Sequence, residues 1–75
     1  MTGCDFGDAL KAFRNGDRCT RAGWNGKGQW VAFAAPGIDD PMTLPYLFLH
    51  TVGGQAVPWT ASQTDILATD WEILS

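Results

Sequence analysis

The chain has 75 residues, enough for one small domain whose core is marginal when it stands alone. A net charge of −3 and a pI near 4.6 exclude a duplex DNA or RNA binder, which needs clustered cations to replace counterions. No basic run suggests an anionic membrane surface, and no apolar run approaches the ~20 residues of a membrane span.

In chain order, residues 5 to 15 read as a first helix. Phe6, Leu10 and Phe13 fall at i, i+4 and i+7, with Ala9 filling the same stripe. Asp5 is the expected N-cap and Asp8 the capping acid three positions on, while Asn15-Gly16 ends the helix. Residues 17 to 24 read as a strand, with Cys19, Arg21 and Gly23 on one face and Arg18, Thr20, Ala22 and Trp24 on the other. Trp24-Asn25-Gly26-Lys27-Gly28 reads as a tight hairpin turn into a return strand over residues 29 to 35. Pro36-Gly37 breaks that strand, and residues 38 to 45 form a loop by composition. Strands follow over 46 to 52 and 55 to 59, turned by Gly53-Gly54, with Pro58 marking an edge. Ser62 is the expected N-cap and Asp65 the capping acid of a second helix over 62 to 68, with Ile66 and Leu67 as its buried side. Residues 70 to 74 close as a last strand, Trp71 and Ile73 sharing a side. The expected fold is α+β: a single domain with a small, mainly antiparallel sheet, an N-terminal helix and a second short helix before the last strand.

Chemistry finds little support in this pattern. His50 lies mid-strand without a triad, Ser62 is explained as a cap, and Asp39-Asp40 sits in a turn, so no base–nucleophile pair is visible. Cys4, Cys19 and His50 lack metal-ligand spacing, so no zinc site is expected. The start Met-Thr-Gly-Cys-Asp has neither the charged nor the apolar region of a secretory signal, which makes a cytosolic protein with reduced thiols the expectation.

Binding is better supported. Four Trp and four Phe are more aromatic surface than one small core easily hides, which implies a homo-oligomer with a ligand site between subunits. Trp24 and Trp59 stand at element ends, where they can contact a ligand or pack, whereas Trp30 and Trp71 read as core or interface. The start of the second helix offers backbone N–H groups and a positive dipole end suited to a phosphate. Gln63 and Thr64 can bond a base edge or ribose there, or simply face solvent. Arg21 can neutralise a phosphate or pair with an acid on a neighbouring strand.

Three blocks carry a family resemblance: Asp5-Phe6-Gly7-Asp8-Ala9-Leu10; Arg21-Ala22-Gly23-Trp24-Asn25-Gly26-Lys27-Gly28; and Pro58-Trp59-x-Ala61-Ser62-Gln63-x-Asp65-x-Leu67-Ala68-x-Asp70-Trp71. In that order, over most of the chain, they resemble the second Thoeris anti-defence family of phage proteins. The resemblance implies a non-enzymatic sponge that binds a cyclic nucleotide immune messenger without destroying it and uses no cofactor. Ligands of that family are cyclic ADP-ribose isomers with a glycosidic ribose link and, for some members, the cyclic dinucleotides of CBASS. It further implies a homotetramer with pockets between protomers, working in the cytoplasm of the infected bacterium. Carried over by motif, Trp24, Asn25 and Gly26 line the pocket, and Trp24 or Trp59 stacks on a base. Ser62, Gln63, Thr64 and Asp65 bond ribose or phosphate, Phe6 contributes from the first helix, and Arg21 completes the set. The chain departs from longer members between Val31 and Tyr46, where it has a short Pro-rich loop.

Overall fold

Asp5 starts the first helix as its position suggests: its carboxylate accepts from the Asp8 N–H at 2.8 Å, and Asp8 returns the bond to the Asp5 N–H at 3.2 Å. In the computed structural model, which describes residues 2–75, this helix α1 runs Phe6–Arg14 and ends where Gly16 takes a left-handed φ of +89°. Its buried residues are Ala9, Ala12 and Phe13. Leu10, expected in the stripe, is 36% exposed, because the face turned to the sheet runs through Phe6, Ala9 and Phe13 rather than through position 10.

Five strands follow the order read from the sequence: β1 (Cys19–Arg21), β2 (Trp30–Ala34), β3 (Tyr46–His50), β4 (Ala56–Pro58) and β5 (Trp71–Ile73). They form one sheet in the order β4-β3-β2-β1-β5, with every neighbouring pair antiparallel. A second helix α2, Gln63–Leu67, precedes β5, so the fold is the expected α+β arrangement. Pro58 lies on the edge strand, where its missing N–H costs no ladder bond.

Three expectations need correction. The first strand stops at Arg21 rather than Trp24, and residues 22 to 29 form a longer connection instead of a two-residue hairpin. A type I′ turn needs positive φ at both central residues, whereas the positive values here fall on Gly26 (+98°) and Gly28 (+86°) and not on Asn25. Once the strand ends, alternation ends with it, and Trp24 packs on the core side instead of sharing the face of Thr20. In α2 the buried residue is Asp65, while Ile66 and Leu67 are 46% and 78% exposed.

The two faces of the sheet differ in their cover. Cys19, Val31, Leu47, Leu49, Trp71 and Ile73 share the face under the helices, and with Cys4, Ala9, Ala12 and Phe13 they build the core. Trp71 is fully buried, and its backbone exchanges two 3.0 Å bonds with Cys4, tying the N-terminal segment to β5. On the opposite face Trp30, Ala32, Ala34, Tyr46, Phe48 and His50 alternate outward. There Trp30 stacks on His50 at 4.6 Å and 4°, meets Phe48 edge-on at 5.8 Å, and carries the Arg18 guanidinium 5.2 Å from its ring.

Candidate ligand-binding site

The aromatic cluster around Trp71 sets the geometry of the site. Phe6, Phe13, Trp24 and Trp59 each pack on the Trp71 ring, at 5.6, 6.3, 5.5 and 6.1 Å between centroids. Trp24 and Trp59 meet edge to face at 6.3 Å and 62°, and both remain part-exposed. Trp59 is held because its N–H donates to the Leu47 carbonyl at 3.0 Å, just beyond β4. Trp24 is held because its indole N–H donates to Asp65 Oδ1 at 3.1 Å.

Between these two indoles opens a cleft of about 210 Å³, lined by Trp24, Asn25, Gln29, Leu49 and Trp59. Its rim is the 22–29 connection, shaped by the Gln29 amide, which donates to the carbonyls of Asn25 at 2.7 Å and Gly26 at 3.3 Å. Gly26 is required twice over: its φ is left-handed, and a Cβ would stand 2.8 Å from Val52 Cγ2. On the other side of Trp24 a second cleft of about 310 Å³ includes Thr20, Arg21, Gly26, Lys27 and Gln29. Lys27 is exposed and belongs to neither of the two ion pairs found among the described residues.

Behind the cleft wall lies a compact ionic cluster. Arg21 donates from Nη1 to Asp65 Oδ1 and from Nε to Asp70 Oδ1, both at 2.8 Å. The other Asp70 oxygen accepts the Gly23 N–H at 2.7 Å, pinning the start of the loop. Burial pushes the Asp65 pKa up, but hydrogen bonds from Arg21, Trp24 and Ser62 outweigh it and hold the group below the ordinary carboxylate range. Arg21 holds Asp70 low in the same way, and the two acids raise the already high pKa of Arg21.

The structure brings some of the anticipated residues together and separates others. Trp24, Asn25 and Trp59 share one cleft, and Gly26 and Arg21 reach the adjoining one. Phe6 packs beneath them, 6.4 Å from Trp59. Ser62, Gln63 and Thr64 are exposed at the start of α2 and line neither cleft. A capping box closes two of the donors at that helix start: Asp65 Oδ2 accepts the Ser62 N–H and Ser62 Oγ accepts the Asp65 N–H, both at 3.1 Å. Gln29, Leu49 and Lys27 were not singled out in the sequence. Strand alternation from Leu47 signals Leu49, whereas nothing local reveals that the Gln29 amide spans its own loop.

His50 lines neither cleft; it stacks on Trp30, which together with Glu72 borders the second cleft from the open face of the sheet. Cys4 and Cys19 are free and buried, and burial, with Asp17 and Cys4 nearby, pushes the Cys19 thiol up to about 11. No group of three or more potential metal ligands occurs among the described residues, and none of their helices is long and apolar enough to cross a membrane.

A family model for the Thoeris anti-defense 2-like domain matches residues 4–74. A protein of Bacillus phage SP01 described as "Thoeris anti-defense 2" is 31% identical over 87 aligned positions, which cover 99% of this chain and 98% of that protein. With a match along nearly its whole length, the chain belongs to the Thoeris anti-defense 2-like family.

Proposed function

We propose that this chain is a phage-encoded sponge that sequesters a cyclic nucleotide immune messenger without cleaving it. Family membership supplies the biological setting, interference with Thoeris defence inside the infected bacterium. The observation that carries the ligand class is the paired-indole cleft between Trp24 and Trp59. The two part-exposed indoles offer aromatic surface to a base, and stacking on an indole contributes about 1–3 kcal/mol per base. The adjoining cleft offers Lys27 and the Gly26–Gly28 backbone to a phosphate, next to the base slot and sharing Trp24 and Gln29 with it. A glycosidically linked cyclic ADP-ribose is the first candidate, since it holds a base and phosphates in one compact ring. A cyclic dinucleotide is the second candidate.

The sponge works as a homo-oligomer, a tetramer by family analogy. The open sheet face supports this reading. Ala32, Ala34, Tyr46 and Phe48 present an apolar surface there, beside a cleft of about 470 Å³ that also includes Pro41, Met42 and Pro58. Covering this face with a second copy would add the burial a domain of this size lacks.

A depletion-and-release assay tests the function. Protein is mixed with glycosidic cyclic ADP-ribose isomers and cyclic dinucleotides, filtered, and the free ligand is measured before and after heat denaturation. Depletion followed by intact recovery supports the sponge, and a changed product would make the protein an enzyme. No depletion across the panel would refute the messenger reading and favour an inhibitor that binds a host protein through its aromatic surfaces.

A further inference from the structure

Arg21 and Asp65 look like ligand contacts in the sequence, yet the structure commits the Asp65 carboxylate to the protein and ties Arg21, at the border of the second cleft, to Asp65 and Asp70. Asp65 is 8% exposed, and its Oδ1 already accepts two hydrogen bonds, from Arg21 Nη1 at 2.8 Å and the Trp24 indole at 3.1 Å. Two lone pairs are thus filled. Its Oδ2 faces the Ser62 N–H at 3.1 Å, and its own carbonyl accepts the buried Trp71 indole N–H at 2.9 Å. One residue of α2 therefore fixes the indole N–H groups of two tryptophans, one in the core and one in the cleft wall. Arg21 holds that carboxylate in place and, through Asp70, the Gly23 end of the loop that carries Trp24.

We infer that Asp65, steadied by Arg21, is a positioning residue that sets the plane of the Trp24 indole for stacking and does not touch the ligand. An indole has one N–H, so a single acceptor fixes the rotation of the ring about its side-chain bonds. Neighbours at 5.5 and 6.3 Å restrict its tilt but offer no polar registration. Asparagine cannot replace the acid here. The carboxylate presents acceptors on both sides, whereas an amide must turn its two donors toward either the Trp24–Arg21 side or the Ser62 N–H.

The inference rests on the messenger-binding reading, and a double-mutant cycle separates the two. Kd for glycosidic cyclic ADP-ribose is measured for wild type, Asp65→Asn, Trp24→Phe and the double variant, below the unfolding range of each. Phenylalanine keeps a stacking ring and removes the N–H. Asp65→Asn should weaken binding about tenfold in the wild-type background, the order of a lost bond to a charged group. In the Trp24→Phe background it should change Kd by less than about twofold. The indole N–H resonance that Trp24→Phe removes should also shift in ligand-free Asp65→Asn. If Asp65→Asn costs the same factor in both backgrounds, the acid contacts the ligand and the positioning role is overturned. Asp65→Glu, which keeps the charge and displaces the acceptor, runs the same cycle with the same expectation if Asp65→Asn lowers the folded fraction. Failure of the wild-type protein to bind would overturn the messenger reading itself, and the positioning role with it.

Discussion

Replacing Arg21 by Met should lower the stability of the domain more than any other removal of a basic side chain. Methionine retains the apolar stem and removes the guanidinium, so the lost part is the pair of bonds to Asp65 and Asp70. The Asp65 bond joins side chains only 13% and 11% exposed, and a charge-assisted bond in that setting contributes about 1.5–3 kcal/mol. The Asp70 carboxylate is 33% exposed, so solvent screening makes its share the smaller one. Without Arg21, Asp65 also keeps its charge in a mostly buried position, supported only by the Trp24 and Ser62 donors. The expected loss is about 2–3 kcal/mol, out of roughly 4–11 kcal/mol for a domain of this length. That corresponds to a fall of about 10–20 °C in the unfolding midpoint. Near-UV circular dichroism at pH 7 and fixed protein concentration follows it through the packed tryptophans. Lys27→Met, on the exposed loop, is the control and should move the midpoint little, within about 0.5 kcal/mol. A fall of less than about 3 °C for Arg21→Met would show that the ionic cluster does not hold α2 to the β1 end.

Trp59→Ala should weaken messenger binding by roughly tenfold or more in an equilibrium titration, since it removes one stacking face. Trp24→Ala should impair both binding and thermal stability, because its ring also packs 5.5 Å from Trp71. The folded pKa values of Asp65 and Asp70 lie below their unfolded values, so the stability they contribute is present above the ordinary Asp pKa of about 3.9 and is lost as pH falls through the folded values. A midpoint that is flat from pH 8 to 5 and falls below about pH 4 is therefore expected, and a decline starting near pH 6 would contradict it. If the open sheet face joins copies as proposed, Phe48→Glu lowers the mass measured by analytical ultracentrifugation and leaves the far-UV spectrum intact.

The sequence revealed what depends on local chemistry and concealed what depends on long-range geometry. Both capping boxes were visible because Asp5 and Asp8, and Ser62 and Asp65, meet three residues apart within a single turn. The order of strands and helices was visible for a similar reason, since alternation and turn residues mark each segment. The Asn25-Gly26 pair misled because its hairpin signal assumes strands that continue to the turn, whereas β1 ends at Arg21 and the next two N–H groups, of Ala22 and Gly23, donate to the Asp70 carbonyl and carboxylate. Asp65 misled more deeply. As a capping acid it belongs on an exposed first turn, and Ile66 and Leu67 looked like the face that α2 should bury. Instead Arg21, 44 residues away, and Trp24, 41 away, supply donors enough to offset burial of the carboxylate, and the two aliphatic side chains turn outward. Such an inversion has no periodic signature, because it is decided by partners on another strand. The sequence does contain a weaker hint: Arg21, Trp24, Asp65 and Asp70 all fall inside the family-like blocks. Of these four, Asp65 has each carboxylate oxygen and its carbonyl bonded to groups of the protein itself, so a place inside a motif block does not by itself make a residue a ligand contact.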